Sequence, residues 1–153
     1  RGDEGRGRHG RQRAGGRPDR RRGRRLHGRR LRPRAEPRHR TADASPGAAD
    51  DAARAAAHPG STAADIDAIT RQAISAAGWG DYFVHRTGHG IGLSTHEEPF
   101  IMEGNDLALE EGMAFSIEPG IYLEGKWGMR LEDIVVLTND GYESLNQAPR
   151  DVR

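Results

Sequence analysis

The chain has 153 residues, of which 31% are charged and none is cysteine, and its formal net charge is +1. That length has room for one domain, the lack of cysteine excludes disulfides and thiolate metal sites, and no apolar run approaches the ~20 residues of a membrane span. The near-neutral total hides a division: residues 1–40 carry 17 arginines against four acids, a net +13, whereas residues 41–153 stand at −12.

Residues 1–40 are almost entirely Arg, Gly, Pro and His, with Leu26 and Leu31 as the only large apolar side chains. Such a stretch cannot bury enough apolar surface to offset its ordering entropy, so a disordered arm is expected over residues 1–45. Arginine density fits a nucleic-acid arm. The absence of lysine and of aromatic residues for base stacking argues against that reading. A translated GC-rich stretch, frameshifted or with a misassigned start, accounts better for a chain that has 23 arginines and the single lysine Lys126. The basic start continues into more arginine rather than an apolar core, so no signal peptide is read. The default expectation is a soluble, cytoplasmic body, residues 46–153, with no membrane attachment.

Residues 41–60, rich in Ala, Asp and Pro, read as a linker or the frayed start of a helix. Thr62-Ala63-Ala64-Asp65 is a capping-box start, with Asp in place of the preferred Glu. Ile66, Ile69, Ala73, Ile74 and Ala77 then recur at helical spacing, and Gly78 supplies the stop, giving an amphipathic helix of about four turns. Tyr82-Phe83-Val84 reads as a short strand leading into His85-Arg86-Thr87-Gly88-His89-Gly90. Each interior glycine costs ~1 kcal/mol in a helix, so this run is expected to be extended, with His85 and His89 on one face. Its glycines would let backbone or ligand approach closely. Two further strands are expected, Met113 to Leu123 with a break at Pro119-Gly120, and Arg130 to Thr138. Asn139-Asp140-Gly141 then turns a hairpin into Tyr142 to Leu145. On the second strand Arg130, Glu132, Ile134 and Val136 share a face, so Glu132 sits among apolar neighbours and needs a cation or a metal as partner.

Singly, each of these polar residues has an ordinary explanation: a hydrogen-bonded structural histidine, a turn glutamate at Glu118, an Arg130–Glu132 pair. Together they form an ordered series: His85-x3-His89-x6-His96, then Glu118-Pro119-Gly120, then Arg130-x-Glu132-Asp133. Imidazole with carboxylate is the donor mixture that holds a first-row divalent metal in an open hydrolytic geometry. The series resembles the C-terminal half of the pita-bread metallopeptidases, in the Xaa-Pro dipeptidase and aminopeptidase branch. The likeness runs from about His58-Pro59-Gly60 to the C-terminus, some 90 residues.

The resemblance implies an α+β pita-bread fold and cleavage of the peptide bond before proline. It assigns His89 and Glu118 to one metal, makes Glu132 the bridge between two, and turns His85 and His96 toward the substrate's scissile carbonyl and proline end. Arg130 would buttress the site. In the family, a metal-shared hydroxide attacks the carbonyl, a glutamate moves the proton and a histidine stabilises the oxyanion. The implied cofactors are two divalent metals, Mn²⁺ first, with Co²⁺ or Zn²⁺ as alternatives. The implied partners are a proline-containing dipeptide or peptide N-terminus and a second copy of the chain in a homodimer. The family also draws two aspartate ligands from an upstream hairpin. Where that hairpin belongs lies the arginine tract, in which Asp3 and Asp19 lack the surrounding motif. The expectation is therefore a truncated or frameshifted copy that takes up at most one metal. The alternative is a catalytically inactive relative used as a binding module.

Overall fold

In a computed structural model of the chain, residues 46–148 are described; the expected arm over residues 1–45, with Asp3 and Asp19, lies outside them. All described residues fall in one compact unit, residues 35–153. Where a linker or the frayed start of a helix was expected, the chain forms helix α1 (Pro46–Ala56). Proline at the first helical position gives up only an amide that has no helical partner, and the alanines that follow carry the lowest helical cost. Arg54 Nε donates to Asp50 Oδ2 one turn back at 2.9 Å and reaches Asp133 Oδ2 at 3.5 Å. The burial of Arg54 opposes its charge, but the hydrogen bond and charge of Asp50 more than offset this and raise its pKa above the ordinary guanidinium value.

Helix α2 (Ala63–Ala76) begins as the sequence predicts. Thr62 accepts from the Asp65 amide at 3.1 Å, and Asp65 accepts from the Thr62 amide at 3.2 Å. The bonds from the Thr62 side chain and backbone hold the Asp65 carboxyl below its usual range. Gly78 ends the helix at a φ of +86°, the left-handed region that glycine enters at least cost. The strand expected at Tyr82 to Val84 is absent. Gly80–Tyr82 is a 3-10 turn, closed by Trp79 and Gly80 carbonyls that accept the Tyr82 and Phe83 amides.

Seven strands follow: β1 (Gly88–Gly90), β2 (Glu97–Ile101), β3 (Ala114–Ile117), β4 (Gly120–Leu123), β5 (Trp127–Arg130), β6 (Asp133–Thr138) and β7 (Gly141–Ser144). β2, β1, β3, β6 and β7 form one antiparallel sheet in that order, and β4 and β5 form a separate ribbon. His85 lies before β1, so it and His89 do not share one strand as expected.

The predicted strand from Arg130 to Thr138 is two strands. Arg130 pairs with Gly120 in the ribbon, whereas Asp133 pairs with Ile117 in the sheet. The chain changes partners at Leu131 and Glu132, opposite the matching break at Glu118 and Pro119. The alternation consequently shifts: Asp133, Val135 and Leu137 are the buried face of β6, and Glu132 is exposed. The apolar face predicted around Glu132 does not exist.

Two buried clusters support this frame. Ala53, Ile66, Ile101, Phe115, Val135 and Leu137 join both helices to the sheet. Ile74, Trp79, Phe83, Ile121 and Leu123 join α2 and the 3-10 turn to the ribbon. Each such large side chain removed from water contributes roughly 1.5–3 kcal/mol. No helix among the described residues is long and apolar enough to cross a membrane.

Candidate functional site

The paired breaks between β3 and β4 and between β5 and β6 place Glu118 and Glu132 beside each other, and His89 on β1, His85 before it and His96 before β2 gather around one cavity with Glu118. Close strand packing depends on glycine here. A Cβ on Gly88 would run into the Ser116 carbonyl oxygen, and one on Gly90 into the Glu98 carbonyl. That closeness brings His89 against the end of β3.

A cavity of about 480 Å³ is lined by His85, Arg86, His89, His96, Met102, Glu118 and Arg130. Five of the six predicted site residues line it; the sixth, Glu132, stands at its margin, joined through Arg130. His89 Nδ1 lies 2.9 Å from the Gly90 carbonyl oxygen, which assigns the proton to Nδ1 in the neutral ring and leaves Nε2 as an acceptor. Nε2 nevertheless faces Glu118 Oε1, itself an acceptor, at 3.1 Å. A metal ion between these two atoms would satisfy both acceptors, as would a shared proton. The Ser116 hydroxyl donates to Glu118 Oε1 at 2.7 Å and accepts from the His89 backbone amide at 3.0 Å, so one hydroxyl ties the Glu118 carboxylate to the backbone of β1. Outer hydrogen bonds of this kind orient metal ligands.

His85 has the same tautomer, with Nδ1 at 2.7 Å from the Arg86 carbonyl oxygen. Its Nε2 is buried with no hydrogen-bond partner and sits over Gly120, where a Cβ would come within 3.0 Å. The ring is held edge-on by Phe83 and Tyr122, with centroids at 5.0 and 5.4 Å. His96 is exposed and packs edge-on against His89 at 4.5 Å.

Arg130 Nη2 pairs with Glu132 Oε2 at 3.1 Å, and Nη1 lies 3.8 Å from Glu118 Oε2. Partial burial opposes its charge, yet Glu132 and then Glu118 raise its pKa above the ordinary guanidinium value. The guanidinium thus spans the two carboxylates. Among the described residues no group of three or more His, Asp or Glu side chains is gathered closely enough to hold a metal on its own. The donor chemistry of His89 and Glu118 fits a divalent ion; Glu132 is committed to Arg130.

Sequence reasoning did not single out Arg86, whose guanidinium stacks 4.8 Å from the Phe100 ring centroid, or Met102, both in the cavity wall. Ser116 was also missed, although its even spacing from Glu118 places both on one side of an extended segment.

The chain matches metallopeptidase family M24 over residues 34–139, starting upstream of the His58 expected from the motifs. It is 58% identical over 101 residues to the probable dipeptidase PepE of Mycobacterium tuberculosis, covering 66% of this chain and 27% of that protein. It is 52% identical over 105 residues to the Xaa-Pro dipeptidase of Lactobacillus helveticus, covering 69% of this chain and 28% of that protein. Among solved structures, dipeptidase PepE from Mycobacterium ulcerans superposes with a TM-score of 0.67 at 58% identity, over 68% of this chain and 28% of that one. The prolidase from Pyrococcus furiosus does so with a TM-score of 0.66 at 45% identity, over 67% and 31%. The chain therefore spans less than a third of the length of these relatives, and its fold is that of the C-terminal half of the pita-bread metallopeptidases. On the extent of the family match and these identities, the chain belongs to metallopeptidase family M24.

Proposed function

We propose that the described residues carry the C-terminal half of the metal site of an Xaa-Pro dipeptidase or aminopeptidase. The observation that carries this reading is His89 Nε2 facing Glu118 Oε1 at 3.1 Å, with the carboxylate held by the Ser116 hydroxyl and the ring by the Gly90 carbonyl. His89 and Glu118 would hold one divalent ion, Mn²⁺ before Co²⁺ or Zn²⁺, with Glu132 as the bridge to a second. A metal bound there supplies a water whose pKa falls to about 7 and polarises the scissile carbonyl. His85, in the cavity wall, would face the scissile carbonyl of the substrate. His96, at the exposed side of the cavity, meets the proline end, and Arg130 holds the carboxylates in place. The substrate class is a proline-containing dipeptide or peptide N-terminus. The whole enzyme would be a cytoplasmic homodimer with two metals, whereas this chain, lacking two assignable aspartate ligands, takes up at most one. A frameshift upstream of about residue 45 accounts for their loss.

The test is hydrolysis of Gly-Pro and Ala-Pro with added Mn²⁺. The chain as it stands should show little or none. Shifting the reading frame upstream should reveal the two aspartates and restore activity, and His89→Ala should abolish it again. Robust hydrolysis by the unrepaired chain would contradict the one-metal reading.

A second reading is favoured by one observation: the Arg130 guanidinium already lies between Glu118 and Glu132. This neutralises the carboxylates without metal, as in a catalytically inactive relative that serves as a binding module. Absence of both metal uptake and hydrolysis after frame repair would select it.

A further inference from the structure

Helix α2 contributes no residue to the cavity wall, yet it holds the segment that does. Asp67 is fully buried and its carboxylate is saturated by two partners. Oδ1 accepts from the Thr87 amide at 3.1 Å and from the Thr87 hydroxyl at 2.7 Å. Arg71, one turn along, donates from Nε to Oδ2 at 2.6 Å and from Nη2 to Oδ1 at 3.2 Å. The guanidinium then points outward: Nη2 donates to the His85 carbonyl at 2.7 Å and Nη1 to the Phe83 carbonyl at 3.3 Å, with the fork lying 4.6 Å from the Phe83 ring centroid. Thr87 in turn passes the constraint on, because its carbonyl accepts the Glu118 amide at 2.7 Å.

We propose that Arg71, held by the buried Asp67, is a positioning residue that sets the placement of His85 and, through Thr87, of Glu118. Between the Phe83 amide, which closes the 3-10 turn, and the Thr87 amide, which also donates to the Ile101 carbonyl at 2.9 Å, residues 84–86 lie in no strand or helix. A planar fork supplies what the ladder does not: donors aimed in fixed directions at a carboxylate and two carbonyls simultaneously. Lysine at this position could keep the charge beside Asp67 but could not reach both carbonyls. The function assigned to the pair rests on the metallopeptidase reading above; the mechanical coupling does not.

The test uses Arg71→Lys in the full chain, with amide hydrogen exchange and Co²⁺ titration as readouts. Exchange of the Thr87 and Glu118 amides should rise at least about tenfold while Val135 and Leu137 in β6 stay protected, and Co²⁺ should bind about tenfold more weakly. Exchange that is unchanged at Thr87 and Glu118, or that rises equally in β6, would overturn the proposal, since the pair would then act through overall stability alone. Co²⁺ affinity unaltered beside a loosened segment would also overturn it. Thr87→Val, which removes the hydroxyl held by Asp67 without changing shape, gives the same local readout if Arg71→Lys does not fold. If the parent chain takes up no Co²⁺, the metal reading fails, while the exchange measurement still decides the coupling.

Discussion

The two carboxylates of the site sit at matching breaks in two neighbouring strands, yet they are held in different ways. Glu118 is largely buried, meets His89 and Ser116, and has its backbone fixed by Thr87. Glu132 is exposed and, among the described residues, pairs with the half-exposed Arg130. Glu118 is placed by the sheet itself; Glu132 depends on an exposed charge pair of the kind that contributes little in water. A residue's position in a motif and the degree to which its surroundings fix it are thus separate properties.

The sharpest way to break this comparison is to delete each half. His89→Ala or Glu118→Ala should lower divalent-metal affinity by more than about 100-fold in a Co²⁺ titration, because each removes half of the prepared pair. Glu132→Ala should cost less than about tenfold, since its carboxylate is engaged elsewhere. Equal losses at all three positions would show that Glu132 is as prepared as Glu118.

Arg130 sharpens the comparison with a sign. Replacing it by Gln removes a positive charge 3.1 Å from one carboxylate and 3.8 Å from the other. Metal affinity should rise, by about tenfold once solvent screening is allowed for. A fall would mean that the arginine's hold on the carboxylates outweighs the repulsion of its charge.

The smallest effect serves as a control distant from both halves. Thr62→Ala should cost about 1 kcal/mol of stability in denaturant unfolding and leave Co²⁺ affinity unchanged. The same cap carries a pH dependence. Folding lowers the Asp65 pKa, so its contribution is complete above the unfolded aspartate value of about 4 and is lost as pH falls through the lower folded value. The stability difference between the parent chain and Asp65→Asn should therefore shrink on acidification; a difference that grows would reverse the assignment.

Much of this was legible in the sequence because it is local. The α2 cap, the glycine stop at Gly78, the turn before β7 and the histidine series depend on neighbours a few residues away. The remainder depends on partners distant in sequence. Alternation along residues 130–138 pointed Glu132 into an apolar face, but strand pairing changes at Leu131 and Glu132, and the buried carboxylate is Asp133, drawn in by Arg54. Helix α1 was only half read, as a linker or a frayed helix start, because its Ala, Asp and Pro composition also fits a linker and its hold on the sheet runs through that same arginine. The five cavity-lining residues were found from their motif, while Ser116, Arg71 and Asp67 were not, since hydroxyl and ion-pair supports have no spacing rule.

The most direct test of the prepared half-site is metal content after loading with Mn²⁺ or Zn²⁺ and dialysis, read by elemental analysis on the parent chain and on His89→Ala. The parent should retain at most one weakly held ion per chain, and His89→Ala none. Two tightly held ions per chain, or retention that survives the loss of His89, would contradict the account.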